Sequence, residues 1–199
     1  MVEQFCYSST HHILDEDTFT ATLATLPNPR AERILSTSHQ GVRYLRLASE
    51  VALRDALEKI GEDYASLTIS YTDLGKPYVE GRPDLAISQS HRGLLGCAFC
   101  VRSLDGAPVF CGVDVEQLTP LTEHHVRLKN RFLPPKTPMD EVGFFMAWTK
   151  MEALVKLTGV GMSGALEAQN TPCVTLSHLH LMDAEHAGYV VCLARKKGG

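Results

Sequence analysis

The sequence predicts an α+β protein arranged as two lobes. Each half carries one prominent helix with several strand candidates around it, and the turn-rich stretch SLDGAP at 103–108 falls between the halves. A chain of 199 residues accommodates one larger domain or two small lobes of roughly 100 residues each, and buries a core without staples.

The elements follow in order. The stretch to about residue 40 is polar and broken by Pro27 and Pro29. At 43–60, Tyr44, Leu47, Ala48, Val51, Leu57 and Ile60 recur at helical spacing, and Gly61 supplies the stop. SLTISY (66–71) alternates like a strand, LGKPYVEGRPD (74–84) reads as a loop, and LLGCAFCV (94–101) as a buried strand. VFCGVDVEQL (109–118) is a further strand, followed by a polar segment containing Pro134, Pro135 and Pro138. The second helix spans 141–158, with Gly159 and Gly161 beyond its end. CVTLSHLHLM (173–182) and YVVCLAR (189–195) are strand candidates before a basic, frayed KKGG.

Composition narrows the function. Hydrophobic residues make up 44% and charged residues 21%, and the formal net charge is −4, which argues against a nucleic-acid footprint. No apolar run approaches a membrane span, and MVEQFCYSSTHHILDED lacks the basic-then-apolar order of a secretory signal, so a cytoplasmic, non-membrane protein is expected. The six cysteines are scattered, which favours reduced, buried thiols over a disulfide framework. Cys97 and Cys100 form a CxxC, but within an apolar strand and without a second pair, so the same reading holds for them. His11–His12, His124–His125 and His178/His180 suggest zinc, yet no matching third ligand accompanies them.

The chemistry concentrates at two places. Asp114 and Glu116 stand at i and i+2 on a strand and share a face, outward if Val113 and Val115 point inward. Such a pair is either solvated or, in a cleft, relieved by a hard cation such as Mg²⁺. On the second helix Trp148, Glu152 and Lys156 form one stripe after Phe144, Phe145 and Met146. Glu152–Lys156 alone is an ordinary surface pair; joined to Asp114 and Glu116 it makes an acid cluster beside a lysine, which suits phosphoryl or pyrophosphate chemistry.

GVDVE at 112–116 and WTKMEALVK at 148–156 resemble the two signatures of the 4′-phosphopantetheinyl transferases, (I/V)G(I/V)D(I/V)E and WxxKEAxxK. LGKP at 74–77 and SHRG at 90–93 are similar to that family's GKP and SHSG segments, in the family's order, and the resemblance covers about residues 28–160. It implies the surfactin-type architecture: a pseudo-dimer of two similar α/β lobes, 1–106 and 107–199, each with a small, mainly antiparallel sheet on a long helix and the active site between them. It also implies the reaction, transfer of the phosphopantetheine arm of coenzyme A to a serine of an acyl or peptidyl carrier protein, releasing adenosine 3′,5′-bisphosphate, by a monomer.

Roles follow by position. Asp114, Glu116 and Glu152 would hold Mg²⁺ (or Mn²⁺), and Glu152 would activate the carrier serine. Lys156 would neutralise the pyrophosphate, Ser90 and His91 would contact coenzyme A phosphates, and Arg30, Arg33 and Lys76 would meet its 3′-phosphate end. Arg30 and Arg33 also fit the solvated face of a short helix, and Arg127, Lys129 and Arg131 are candidates for an acidic carrier's basic rim. The chain departs from the pattern at Met151, where lysine is usual, at Ser88, where asparagine is usual, and at Arg92, where a small residue is usual. These departures motivate an alternative, a coenzyme A- and carrier-binding protein impaired in transfer. A metal-dependent phosphohydrolase is a further alternative.

Overall fold

The computed structural model describes residues 1–13, 15–182 and 187–198, the His12 side chain excepted. Strand β1 (Val2–Ser9) is followed by helices α1 (Glu16–Leu23), α2 (Asn28–Leu35) and α3 (Gln40–Lys59). A short hairpin, β2 (Ile69–Tyr71) and β3 (Pro77–Val79), precedes β4 (Leu85–Arg92) and β5 (Leu95–Arg102). Then come β6 (Val109–Gln117), α4 (Glu123–Phe132), α5 (Glu141–Thr158), α6 (Ala165–Ala168), β7 (Thr175–Met182) and β8 (Gly188–Lys197).

The two halves repeat one topology. In the first, β5 lies between β1 and β4; in the second, β8 lies between β6 and β7, with antiparallel pairing throughout both sheets. Each half therefore runs strand, long helix, hairpin, with the last strand inserted in the middle. The α+β class and its small antiparallel sheets follow the expectation from sequence.

Helix α5 begins where Asp140 accepts a hydrogen bond from Gly143 N at 2.9 Å and ends at Gly159, which takes the left-handed φ of 77° that closes a helix without steric cost. Helix α3 buries Leu47, Ala48, Ala52, Leu53, Ala56 and Leu57 as one face against the first sheet. Ala48, Ala52 and Ala56, four residues apart, let β5 approach: a Cβ on Gly96 would stand 2.3 Å from Ser49 N. The second half repeats the device at Gly112 of β6, where a Cβ would stand 2.0 Å from the carbonyl oxygen of Ala153 in α5. That approach brings the α5 backbone directly over β6, two residues from Asp114.

A third core joins the halves, made by Leu95, Cys97, Phe99 and Val101 of β5 against Val109, Cys111, Val113 and Val115 of β6 with Tyr189 and Val191 of β8. Cys97 faces this seam, whereas Cys100 faces the α3 core, so the CxxC thiols point to opposite sides of one strand. Burial pushes the Cys97 and Cys111 thiols up to about 12, which keeps both protonated and inert.

Several elements differ from the sequence expectation. β1, α1 and α2 occupy the stretch read as broken and polar, and α4 the polar segment before the prolines. β8 runs to Lys197, so the basic end is paired rather than frayed; Gly198 N continues with a bond to Pro108 O at 2.7 Å, and Gly199 lies outside the described residues.

Candidate active site

The site lies where β4, β6 and α5 meet. β4 and β6 run side by side, and Ser88 Oγ accepts from Val113 N at 3.0 Å, pinning the edge of one sheet to that of the other. Serine where asparagine was expected thus satisfies a buried backbone amide of the neighbouring strand. Asp114 and Glu116 project from β6 towards α5, not outward to solvent as a half-exposed strand would place them. Both faces of this strand are covered, so Asp114 is only 3% exposed although Val113 and Val115 are buried on the other side.

At the centre, Lys156 Nζ donates to Asp114 Oδ1 at 2.6 Å and to Ser90 Oγ at 2.9 Å, and Ser90 Oγ donates to the same Oδ1 at 2.9 Å. Burial works against the Lys156 charge, but Asp114 and Glu152 outweigh it and hold the ammonium above its ordinary range. The other carboxylate oxygen, Asp114 Oδ2, is buried and has no hydrogen-bond partner among the described residues, and the same is true of Glu116 Oε2. A buried carboxylate oxygen that accepts no hydrogen bond is costly, and these two, the Glu116 oxygen with only the unaligned Arg92 guanidinium beside it, form a donor set for a hard cation.

Glu152 reaches the same place from α5. Burial and the Asp114 charge raise its carboxyl above the usual range, against the pull of Lys156 and Arg92. Glu116 is pushed up to about 7, first by burial and then by Asp114, with Arg92 opposing. Its carboxyl therefore holds a proton in the folded chain between its ordinary 4.5 and about 7 that the unfolded chain has released. The stability this confers is full below pH 4.5 and is lost as pH rises through 7. In EDTA, the unfolding free energy from urea titration is expected to fall between pH 5 and pH 8, by on the order of 2 kcal/mol, and to fall less in Glu116→Gln. An unchanged slope in the variant would contradict the assignment.

Beside the acids opens a basic cavity of roughly 240 Å³, whose wall includes Arg33, Arg46, Gln89, Tyr71 and His91. Arg33 lies over the Tyr71 ring at 3.6 Å from its centre. His91, exposed near the end of β4, is held below its ordinary range by partial desolvation and by the charges of Lys156 and Arg46. Arg46 was not singled out from sequence; it stands one helical turn before Glu50 on the polar side of α3, a position the apolar stripe leaves unread.

Not every expected residue stands free here. Arg30 is buried on α2, where its Nε donates to Glu50 Oε2 at 3.0 Å and its Nη2 donates to Glu50 Oε1. Its Nη1 bonds Tyr71 OH, and Tyr64 OH and Gln89 Nε2 complete the coordination of Glu50 at 2.8 and 3.1 Å. Burial lowers the Arg30 affinity for its proton, yet Glu50 overrides it and keeps the guanidinium charged. Arg30 therefore braces the cavity wall from behind, and neither a solvated helix face nor a free phosphate ligand describes it. Lys76 likewise turns away from Arg33: its Nζ donates to Leu157 O at the carboxyl end of α5, and burial lowers its pKa. Ser90 bonds Asp114 and Lys156 rather than facing the cavity.

Met151 is 1% exposed in the α5 core, so methionine there removes no charge from the cleft. Lys150, next to it, points to solvent. Trp148 packs against Phe144 and Phe132, as expected of a helix-packing residue. Arg127, Lys129 and Arg131 lie on α4, a helix, so Arg127 and Arg131 share a face and Lys129 is turned from them. The His178 ring stands 3.3 Å from Met146 O, and among the described residues no three His, Cys, Asp or Glu side chains close on one point. Asp114, Glu116 and Glu152 face one cleft without yet doing so. No helix among the described residues is long and apolar enough to cross a membrane.

No family profile matches the chain. It is similar to the 4′-phosphopantetheinyl transferase of Bacillus subtilis, 26% identical over 156 residues that cover 73% of this chain and 66% of that protein. It is also similar to the 4′-phosphopantetheinyl transferase psf-1 of Bacillus pumilus, 32% identical over 103 residues, 47% of this chain and 40% of that protein. The chain thus matches less than two thirds of the length of either relative. Both relatives are 4′-phosphopantetheinyl transferases, and the two segments of this chain that resemble that family's signatures, GVDVE and WTKMEALVK, come together on β6 and α5.

Proposed function

We propose that this protein transfers the 4′-phosphopantetheine arm of coenzyme A to a serine hydroxyl of an acyl or peptidyl carrier protein, with Mg²⁺ or Mn²⁺ as cofactor. The observation that carries the reading is the buried, half-partnered Asp114 carboxylate: one oxygen engaged by Lys156 and Ser90, the other without a hydrogen bond among the described residues, beside Glu116 and Glu152. The donor set fits a hard divalent cation, which Asp114, Glu116 and Glu152 would hold and which supplies charge neutralisation at a pyrophosphate when bound.

The chain's own residues account for the remaining steps. Arg33, Arg46 and His91 offer the nucleotide phosphates a cationic and hydrogen-bonding wall. The carrier serine oxygen attacks the phosphorus bearing the pantetheine arm, and the bond from that phosphorus to the bridging oxygen breaks. Adenosine 3′,5′-bisphosphate leaves with the bond's electron pair. Glu152, whose raised pKa suits a proton acceptor working near neutral pH, takes the serine proton. Lys156, already charged and fixed, meets the charge that develops on the leaving phosphate. The exposed basic residues of α4 suit an acidic carrier surface.

The test is nucleotide product analysis. Adenosine 3′,5′-bisphosphate should form only when coenzyme A, a divalent cation and an apo-carrier are all present. Phosphate release without coenzyme A would instead indicate the phosphohydrolase. Coenzyme A binding without any product would indicate the impaired binding protein, whose motive at Met151 is weakened by that residue's burial in the core.

A further inference from the structure

The acid cluster already carries a cation of the protein's own. Arg92, the last residue of β4, places Nε 3.0 Å from Glu116 Oε2; its side chain is 58% exposed and that of Glu116 15%. The hairpin tip behind Arg92 is fixed. Gly93 turns with φ +57°, a Cβ there would stand 2.5 Å from Tyr189 Oη, and Leu94 N donates to that same oxygen at 3.1 Å. The backbone thus delivers the guanidinium across the seam to an acid of the other half. The pair is close but not aligned as a hydrogen bond, since Glu116 Oε2 has no hydrogen-bond partner among the described residues. An exposed, unaligned arginine is weakly held and can leave without unfolding anything around it.

We propose that Arg92 is a resident counter-cation of the acid cluster, which a divalent ion must displace from Glu116, so that Arg92 sets the cation concentration at which the site fills. The inference rests on the reading that Asp114, Glu116 and Glu152 hold such an ion. Arg92 touches neither reacting atom in this account; it acts through Glu116 and is a positioning residue. A small residue in its place would leave three acids and Lys156 alone, a more negative site and a tighter one for a cation.

Mn²⁺ titration of the full chain, with free Mn²⁺ read by electron paramagnetic resonance at low salt and without coenzyme A, tests this independently of turnover. Arg92→Gln is expected to bind Mn²⁺ about 3- to 10-fold more tightly, the scale of one unit charge removed at a largely solvated distance. Arg92→Lys, which keeps the charge, is expected to stay within about 2-fold of the parent. Asp114→Asn is expected to weaken binding in both the parent and Arg92→Gln backgrounds. Equal or weaker binding by Arg92→Gln, with Asp114→Asn still disruptive, would overturn the role of Arg92 and leave the metal reading standing. Mn²⁺ binding that ignores Asp114→Asn, or no binding at all, would overturn both.

Discussion

Replacing Glu152 by glutamine is expected to slow phosphopantetheinyl transfer by about 10²- to 10⁴-fold, the range for loss of a positioned proton acceptor. The amide cannot take the serine proton and gives up the negative charge offered to the cation. The fold should not follow, because Glu152 is half-buried at the cleft and its side chain makes no hydrogen bond among the described residues. Steady-state kinetics and thermal unfolding of the same preparation separate the two effects. Full activity in Glu152→Gln would remove it from the mechanism, whereas lost activity together with lost folding would make it a structural residue.

The second large effect concerns stability. Glu50→Ala should destabilise the chain by about 3–5 kcal/mol, because it strands the Arg30 charge in a buried wall. The variant also removes the acceptor of Tyr64 OH and of Gln89 Nε2, so the wall of the basic cavity loosens with it. Replacing Arg30 and Glu50 together by methionine and leucine should recover most of the loss, since a well-packed apolar pair carries no desolvation cost. Urea unfolding of the two variants checks both statements. A Glu50→Ala change below about 1 kcal/mol would show that Arg30 finds solvent without it.

The two expectations differ in how visible they were beforehand. Helix α5 was legible because its apolar residues from Phe144 on and Gly159 beyond its end mark its extent, while the Asp140 cap that starts it was not read from the sequence. The spacing of Glu152 and Lys156 placed both on one stripe, and the GVDVE and WTKMEALVK segments named the acids. What the sequence concealed was the second covered face of β6. The alternation V-D-V-E describes a half-exposed strand, but the approach of α5 over Gly112 buries the acids as well as the valines.

Longer-range features were harder still. The repeat of topology leaves no repeat in sequence, since each half fills its strands with different residues and even its close-packed glycine sits on a different strand, Gly96 on the central β5 and Gly112 on the outer β6. Arg30 reads as a solvated helix residue until α2 folds onto α3 and brings Glu50, twenty positions on, against it. Strand β1 is an outer strand with mixed burial, and α1, α2 and α4 are short and bury little, Phe19 in α1, Arg30 and Ile34 in α2 and no residue in α4, so none carries the apolar content that marked α3 and α5. Arg92 was visible as a departure from the SHSG pattern, but its partner Glu116 lies across the seam between the halves.

The central claim is tested most directly by the intact mass of apo-carrier proteins after incubation with this protein, coenzyme A and Mg²⁺. The account predicts a gain of about 340 Da on a cognate carrier, the mass of the transferred arm, abolished by EDTA and by Asp114→Asn. A panel of acyl and peptidyl carriers that gains no mass, from a protein that binds both coenzyme A and Mn²⁺, would contradict it.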